Sequence, residues 1–132
     1  MKDIKKFIAE SREDDDKFIE DVKARYAEVK DPHNVRELKV GDIIDNHFHY
    51  TAQIPQFVRI TSITKFKIFG EVLDERSVRD DGYGQNGSCV ARPTVDKHRG
   101  TKIIKVGRDG HMKGEGRYPT LWDGKPVDYY TD

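Results

Sequence analysis

The chain has 132 residues, room for one domain of ordinary size and not for two. Lys and Arg number 24 and Asp and Glu number 24, so the formal charge is zero, and no apolar run approaches the roughly 20 residues that a membrane-spanning helix needs. The lone cysteine, Cys89, excludes an internal disulfide and fits a reducing compartment, and the charged first ten residues do not read as a secretory leader.

Apolar residues at Ile4, Phe7 and Ile8 follow the spacing of one helical face, set among Lys2, Lys5 and Lys6. Ser11 followed by Asp14 fits a capping pattern, so a second helix is expected to begin there, with Asp14, Asp15 and Asp16 at the positive end of its dipole. A single helix with a weak joint near Ser11 is the alternative. The same acidic run could instead imitate a phosphate backbone. The next stripe, Phe18, Ile19, Val22, Tyr26 and Val29, keeps the helical period and is expected to pack on a sheet. Asp31-Pro32 ends it.

From Leu38 the period becomes two. Val40-Gly41-Asp42-Ile43-Ile44 reads as a turn entering a strand, and Gln56 to Ile63 alternates Val58 and Ile60 against Arg59 and Thr61. Phe66 to Leu73 is the next strand. Phe69 and Leu73 on its outer face are the expected seat of the helical stripe. Residues 77–88 read as a loop by composition, without the Gly-Lys-Ser/Thr ending of a phosphate-binding loop. A short strand near Cys89–Ala91 ends at Pro93. For the last hairpin, a three-residue loop Arg108-Asp109-Gly110 with a glycine bulge pairs Val106 with Met112 and Ile104 with Gly114, keeping apolar with apolar. That register sets Lys105 against Lys113. Trp122 is expected to anchor the core.

Charge is segregated. Residues 86–118 hold 8 basic and 3 acidic side chains, net +5, against −2 over residues 1–37. The candidate binding residues are therefore Lys97, Arg99, Lys102, Lys105, Arg108, His111, Lys113 and Arg117, a basic hairpin suited to phosphate or to an acidic protein surface. Tyr83, His111 and Tyr118 are the aromatic platforms a nucleic acid would use. Catalytic groupings are weak. His47 and His49 could share a metal, yet Cys89 with His98 or His111 makes a poor ligand set, and Asp80-Asp81 lie in the expected loop. No catalytic residue, metal or cofactor is expected.

Met1-Lys2, then Phe7-Ile8-Ala9-Glu10 and a small residue, resembles the capsid-targeting leader of internal head proteins of T-even-type bacteriophages. The resemblance covers residues 1–11, and Asp3, Ile4, Lys5 and Lys6 depart from the family wording. It implies a cleavage motif at Ile8, Ala9 and Glu10, with Ser11 as the new N-terminus. The partner of residues 1–10 would be the prohead scaffold or protease. It also implies passage from the virion head interior to the host cytoplasm. Residues 40–132 resemble small phage and plasmid proteins of unassigned function. Gly41-Asp42-Ile43, Tyr50, Pro93, Asp109-Gly110, Trp122 to Pro126 and Thr131 line up in that order, although His47-Phe48-His49-Tyr50 departs from that group's tryptophan-bearing segment. That likeness implies a compact β fold.

The expected fold is α+β, an N-terminal helix or helix pair packed on a small antiparallel SH3-like β-barrel. Its parts are a leader-like segment 1–10, a helical segment 11–37 and an antiparallel β domain 38–132. The expected function is a non-enzymatic, phage-encoded protein that binds and blocks a host defence protein. The rival is a cytosolic nucleic-acid-binding module that uses the basic hairpin over residues 97–117. No membrane partner is expected.

Overall fold

The computed structural model describes residues 4–49, 52–80, 82, 86–93, 99–114 and 116–130, with side chains from Asp14 onward apart from Asp80. The described chain is one long helix on a mostly antiparallel sheet, an α+β arrangement. Helix α1 (Ile4–Ala27) is followed by a 3₁₀ turn (Val35–Glu37) and strands β1 (Ile43–His49), β2 (Gln53–Ile54), β3 (Phe57–Ile63), β4 (Lys67–Val72) and β5 (Glu75–Asp80). The remaining strands are β6 (Asn86–Ala91), β7 (Thr101–Val106), β8 (Met112–Lys113), β9 (Arg117–Leu121) and β10 (Val127–Tyr130). No described helix is long and apolar enough to cross a membrane.

One helix, not two, passes through Ser11. The expected cap there does not form, and Asp14–Asp16 lie well inside α1. Extending a helix adds a hydrogen bond for each residue fixed, whereas restarting one needs a new nucleus, so a single serine is a weak reason to stop. The apolar stripe then does what its period promises. Phe18, Ile19 and Val22 pack on a core of Ile43, Phe57, Leu73, Val90, Trp122 and Val127. Tyr26 and Val29 reach a second core built on Ile44, Val58, Ile60, Ile68, Ile104 and Leu121. Leu73 belongs to the helix-covered core as expected. Phe69 belongs to neither and stays half-exposed opposite Ile103.

The two cores share a wall. Neighbouring residues alternate faces in a strand, and here both faces are buried: Ile43 faces one core and Ile44 the other, as do Phe57 and Val58. The strand order is β5-β6-β10-β2-β1-β3-β4-β7-β8, with β9 on β1. β1 carries β9 along Ile44–Phe48 on one edge, and β3 and then β2 on the other. The sheet is not closed. β8 and β9 are joined through Gly114, whose carbonyl accepts from the Arg117 amide at 3.0 Å, but share no ladder pair among the described residues.

Two local expectations change. The stretch 77–88 is not one loop, because Glu75–Asp80 and Asn86–Ala91 pair as antiparallel strands with a bulge between Ser77 and Arg79. β5 is an edge strand of the sheet, exposed over Ser77, Val78 and Arg79, and it leaves no apolar alternation to read. In the last hairpin Val106 pairs with Met112 and Lys105 with Lys113, as the glycine-bulge register requires, with Gly110 at φ 87°. Ile104 does not pair with Gly114. β8 ends at Lys113 because the chain doubles back so tightly at Gly114 that a Cβ would fall on the Arg117 carbonyl. Trp122 anchors the core at 1% exposure, its indole N–H donating to the Lys125 carbonyl at 2.9 Å.

Candidate functional site

Three antiparallel strands bring lysines side by side. β4 pairs with β7 so that Lys67 faces Lys105, and β7 pairs with β8 so that Lys105 faces Lys113. All three are exposed. Directly opposed like charges cost about 0.2–1 kcal/mol a pair, so the row is a locally basic surface. On the next same-face rung Phe69 lies opposite Ile103. Arg108 stands exposed in the turn beyond. Lys67 was invisible to a reading of the hairpin alone, because the β4–β7 pairing spans the inserted β5–β6 hairpin and no local pattern announces it.

The remaining basic candidates divide. Lys102 alternates with Lys105, so it is half-buried on the inner face with Ile104 and Val106. Arg117 donates from Nη1 to the carbonyl of Asn46 at 3.0 Å. Arg99 does not join the hairpin: it pairs with Asp74 at 3.2 Å and Glu75 at 3.6 Å. His111 is exposed but held, with Nδ1 2.9 Å from Asp109 and Nε2 3.3 Å from Asp31. The Asp109 hydrogen bond, more than the Asp31 contact, pushes the His111 imidazole above its ordinary pKa. The same bond pulls the Asp109 carboxyl below its own. Lys97, Tyr83, His98 and Asp81, and the side chains of Ile8, Ala9, Glu10 and Ser11, lie outside the described residues.

A second surface feature is aromatic. Tyr118 on β9, 58% exposed, stacks on His47 with ring centres 5.7 Å apart and 24° between planes. His49 meets Tyr118 edge-on at 6.2 Å and Tyr130 at 5.9 Å. His47 and His49 thus share a face, as alternation requires, and are spent on rings and carboxamide or carboxylate neighbours. Nδ1 of His47 lies 3.1 Å from Asp45, and Nδ1 of His49 lies 3.1 Å from Gln53. No group of three metal-ligating side chains comes together among the described residues.

Cys89 is buried on β6, 3.9 Å from the Glu75 carboxylate. Desolvation first, and the Glu75 charge second, push its thiol up to about 12, the reverse of what a nucleophile needs. Burial likewise raises the Glu75 and Asp45 carboxyls, against the pull of Arg99 on the first and His47 on the second. Asp15, the middle of the acidic run, is 4% exposed and lies 3.6 Å from Arg76 and 3.4 Å from Arg92. It fastens α1 to the β5–β6 hairpin and is not displayed to a partner. Comparison with protein-family models, curated proteins and solved structures finds no match to this chain.

Proposed function

We propose that this chain is a binding protein of a T-even-type bacteriophage, carried in the head, trimmed after Glu10 and delivered to the host, where it occupies the surface of a host defence protein. The observation that carries this reading is where the motif lies. Ile8-Ala9-Glu10-Ser11 sits in the N-terminal turns of α1, and the described side chains of the helix dock on the sheet from Asp15 to Tyr26. A cut after Glu10 leaves that docked part whole. The cargo is then a helix-covered β domain. In this reading β1, β3, β4, β7, β8 and β9 form an SH3-like barrel left open between β8 and β9. The test is expression of the chain and its Glu10→Ala variant during infection. Trimmed wild type and untrimmed variant inside particles are expected; both remaining outside particles overturns the reading.

A second reading, a nucleic-acid-binding module, draws support from the Lys67–Lys105–Lys113 row. It predicts binding that falls steeply with salt, and loss of affinity when Lys67, Lys105 and Lys113 are changed together to glutamate. Absence of any complex with single- or double-stranded nucleic acid at low salt rejects it.

A further inference from the structure

Strand alternation sends three polar side chains to places where a barrel-like core should be apolar. On the inner face of β1, Ile44 is followed by Asn46; on β7, Lys102 precedes Ile104 and Val106; on β9, Leu121 and Pro119 are preceded by Arg117. These residues meet at the open seam between β8 and β9. There they line a cavity of about 70 Å³ together with Gly114, Lys105 and Lys113. Asn46 is 2% exposed, its side-chain N–H donating to Gln56 at 2.8 Å and its main-chain carbonyl accepting from Arg117. Lys102 and Arg117 make no ion pair among the described residues, and no described carboxylate lines the cavity. Glu115 lies outside the described residues.

We infer that this cavity is a binding site for one phosphoryl group. A half-buried lysine beside an arginine is costly without a counter-charge, and an oxyanion supplies one through charge-assisted hydrogen bonds. The size sets the limit. The space is enough for a few waters or for one tetrahedral oxyanion. The turn at its rim requires Gly114, since a Cβ there collides with the backbone of Arg117. The phosphoryl group can come from inorganic phosphate or from a nucleic-acid backbone. The site is independent of the delivery reading. In its backbone form it deepens the nucleic-acid reading and rests on it.

The probes are inorganic phosphate and a short single-stranded oligonucleotide, titrated into the full chain at constant ionic strength and followed by amide chemical shifts. Saturable shifts at Asn46, Lys102 and Gly114 with phosphate are expected. Lys102→Gln and Arg117→Gln should each weaken binding about tenfold or more, while Lys102→Arg retains it. Should a Gln variant not fold, Lys102→Arg and a control, Lys67→Gln on the outer face, still report. No saturable shift with phosphate, or equal shifts in wild type and both Gln variants, overturns the site. Phosphate binding with no oligonucleotide binding supports the site with inorganic phosphate as source and sinks only the nucleic-acid reading. Oligonucleotide binding that ignores the Gln variants overturns the site and leaves that reading standing.

Discussion

Arg25 grips Asp42 with two nitrogens, Nε at 2.9 Å and Nη2 at 3.0 Å, and so ties the last turn of α1 to the turn that opens β1. Asp42 is nearly buried and also accepts from the Lys39 amide at 2.9 Å, while Nη2 of Arg25 donates to the Glu37 carbonyl. The arginine further suits the negative end of the helix dipole. Removing Arg25 leaves the buried Asp42 carboxylate without its cation, and removing Asp42 leaves Arg25 with the exposed Glu28 at 3.5 Å as its carboxylate partner. Asp42→Asn or Arg25→Met is therefore expected to lower stability by about 3 kcal/mol in denaturant unfolding. A loss below about 0.5 kcal/mol in both would mean that the helix is held by its apolar face alone.

Midway along α1, Asp15 does the same work against Arg76 and Arg92. Asp15→Ala removes the buried carboxylate that Arg76 and Arg92 share and is expected to cost about 2–3 kcal/mol. Its neighbour offers a control, because Asp16 is exposed and only 4.0 Å from Arg76, so Asp16→Ala should cost under about 1 kcal/mol. Equal losses would mean that the run acts as undifferentiated surface charge.

That difference between neighbours shows where sequence reading stops. The apolar stripe from Phe18 to Val29, the entry at Gly41-Asp42, and the Val106–Met112 register were legible because each is a local pattern with one low-energy outcome. Bulge geometry needs Gly110, and Gly110 is there. The β5–β6 hairpin is not legible because an edge strand exposed over Ser77, Val78 and Arg79 has the composition of a loop. The pattern at Ser11 leaves one helix or two open, because a capping signal cannot reveal that helix already precedes it. Lys67 and the inward path of Lys102 depend on strands paired across nearly thirty residues of inserted chain, and Arg99 was drawn off by Asp74 and Glu75, which no charge count locates.

His111 links the β7–β8 turn to the segment after α1 through Asp109 and Asp31. Its folded pKa lies above the ordinary 6.5, so the stabilisation is fully present below that unfolded value and is lost as pH rises through the folded one. A proton NMR titration of the imidazole should show a midpoint above 6.5, falling in Asp109→Asn. An unchanged midpoint in that variant would assign the shift to other charges.

Cys89 should be inert in the folded protein. With its thiol pushed up to about 12, the thiolate fraction near neutral pH is roughly three orders of magnitude below that of a free cysteine. Labelling by a disulfide reagent at pH 8 is expected to be slow in buffer and rapid in denaturant. Fast labelling of the folded chain would reveal an accessible thiolate and reopen the question of a nucleophile at β6.

The central claim, carriage in a phage head with removal of residues 1–10, is tested most directly by intact mass and N-terminal peptide mapping of the chain in purified particles. The predicted result is a species that starts at Ser11, its α1 still carrying Asp15 and the apolar stripe. Particles without the chain, or holding it only with Met1 to Glu10 attached, would contradict the claim.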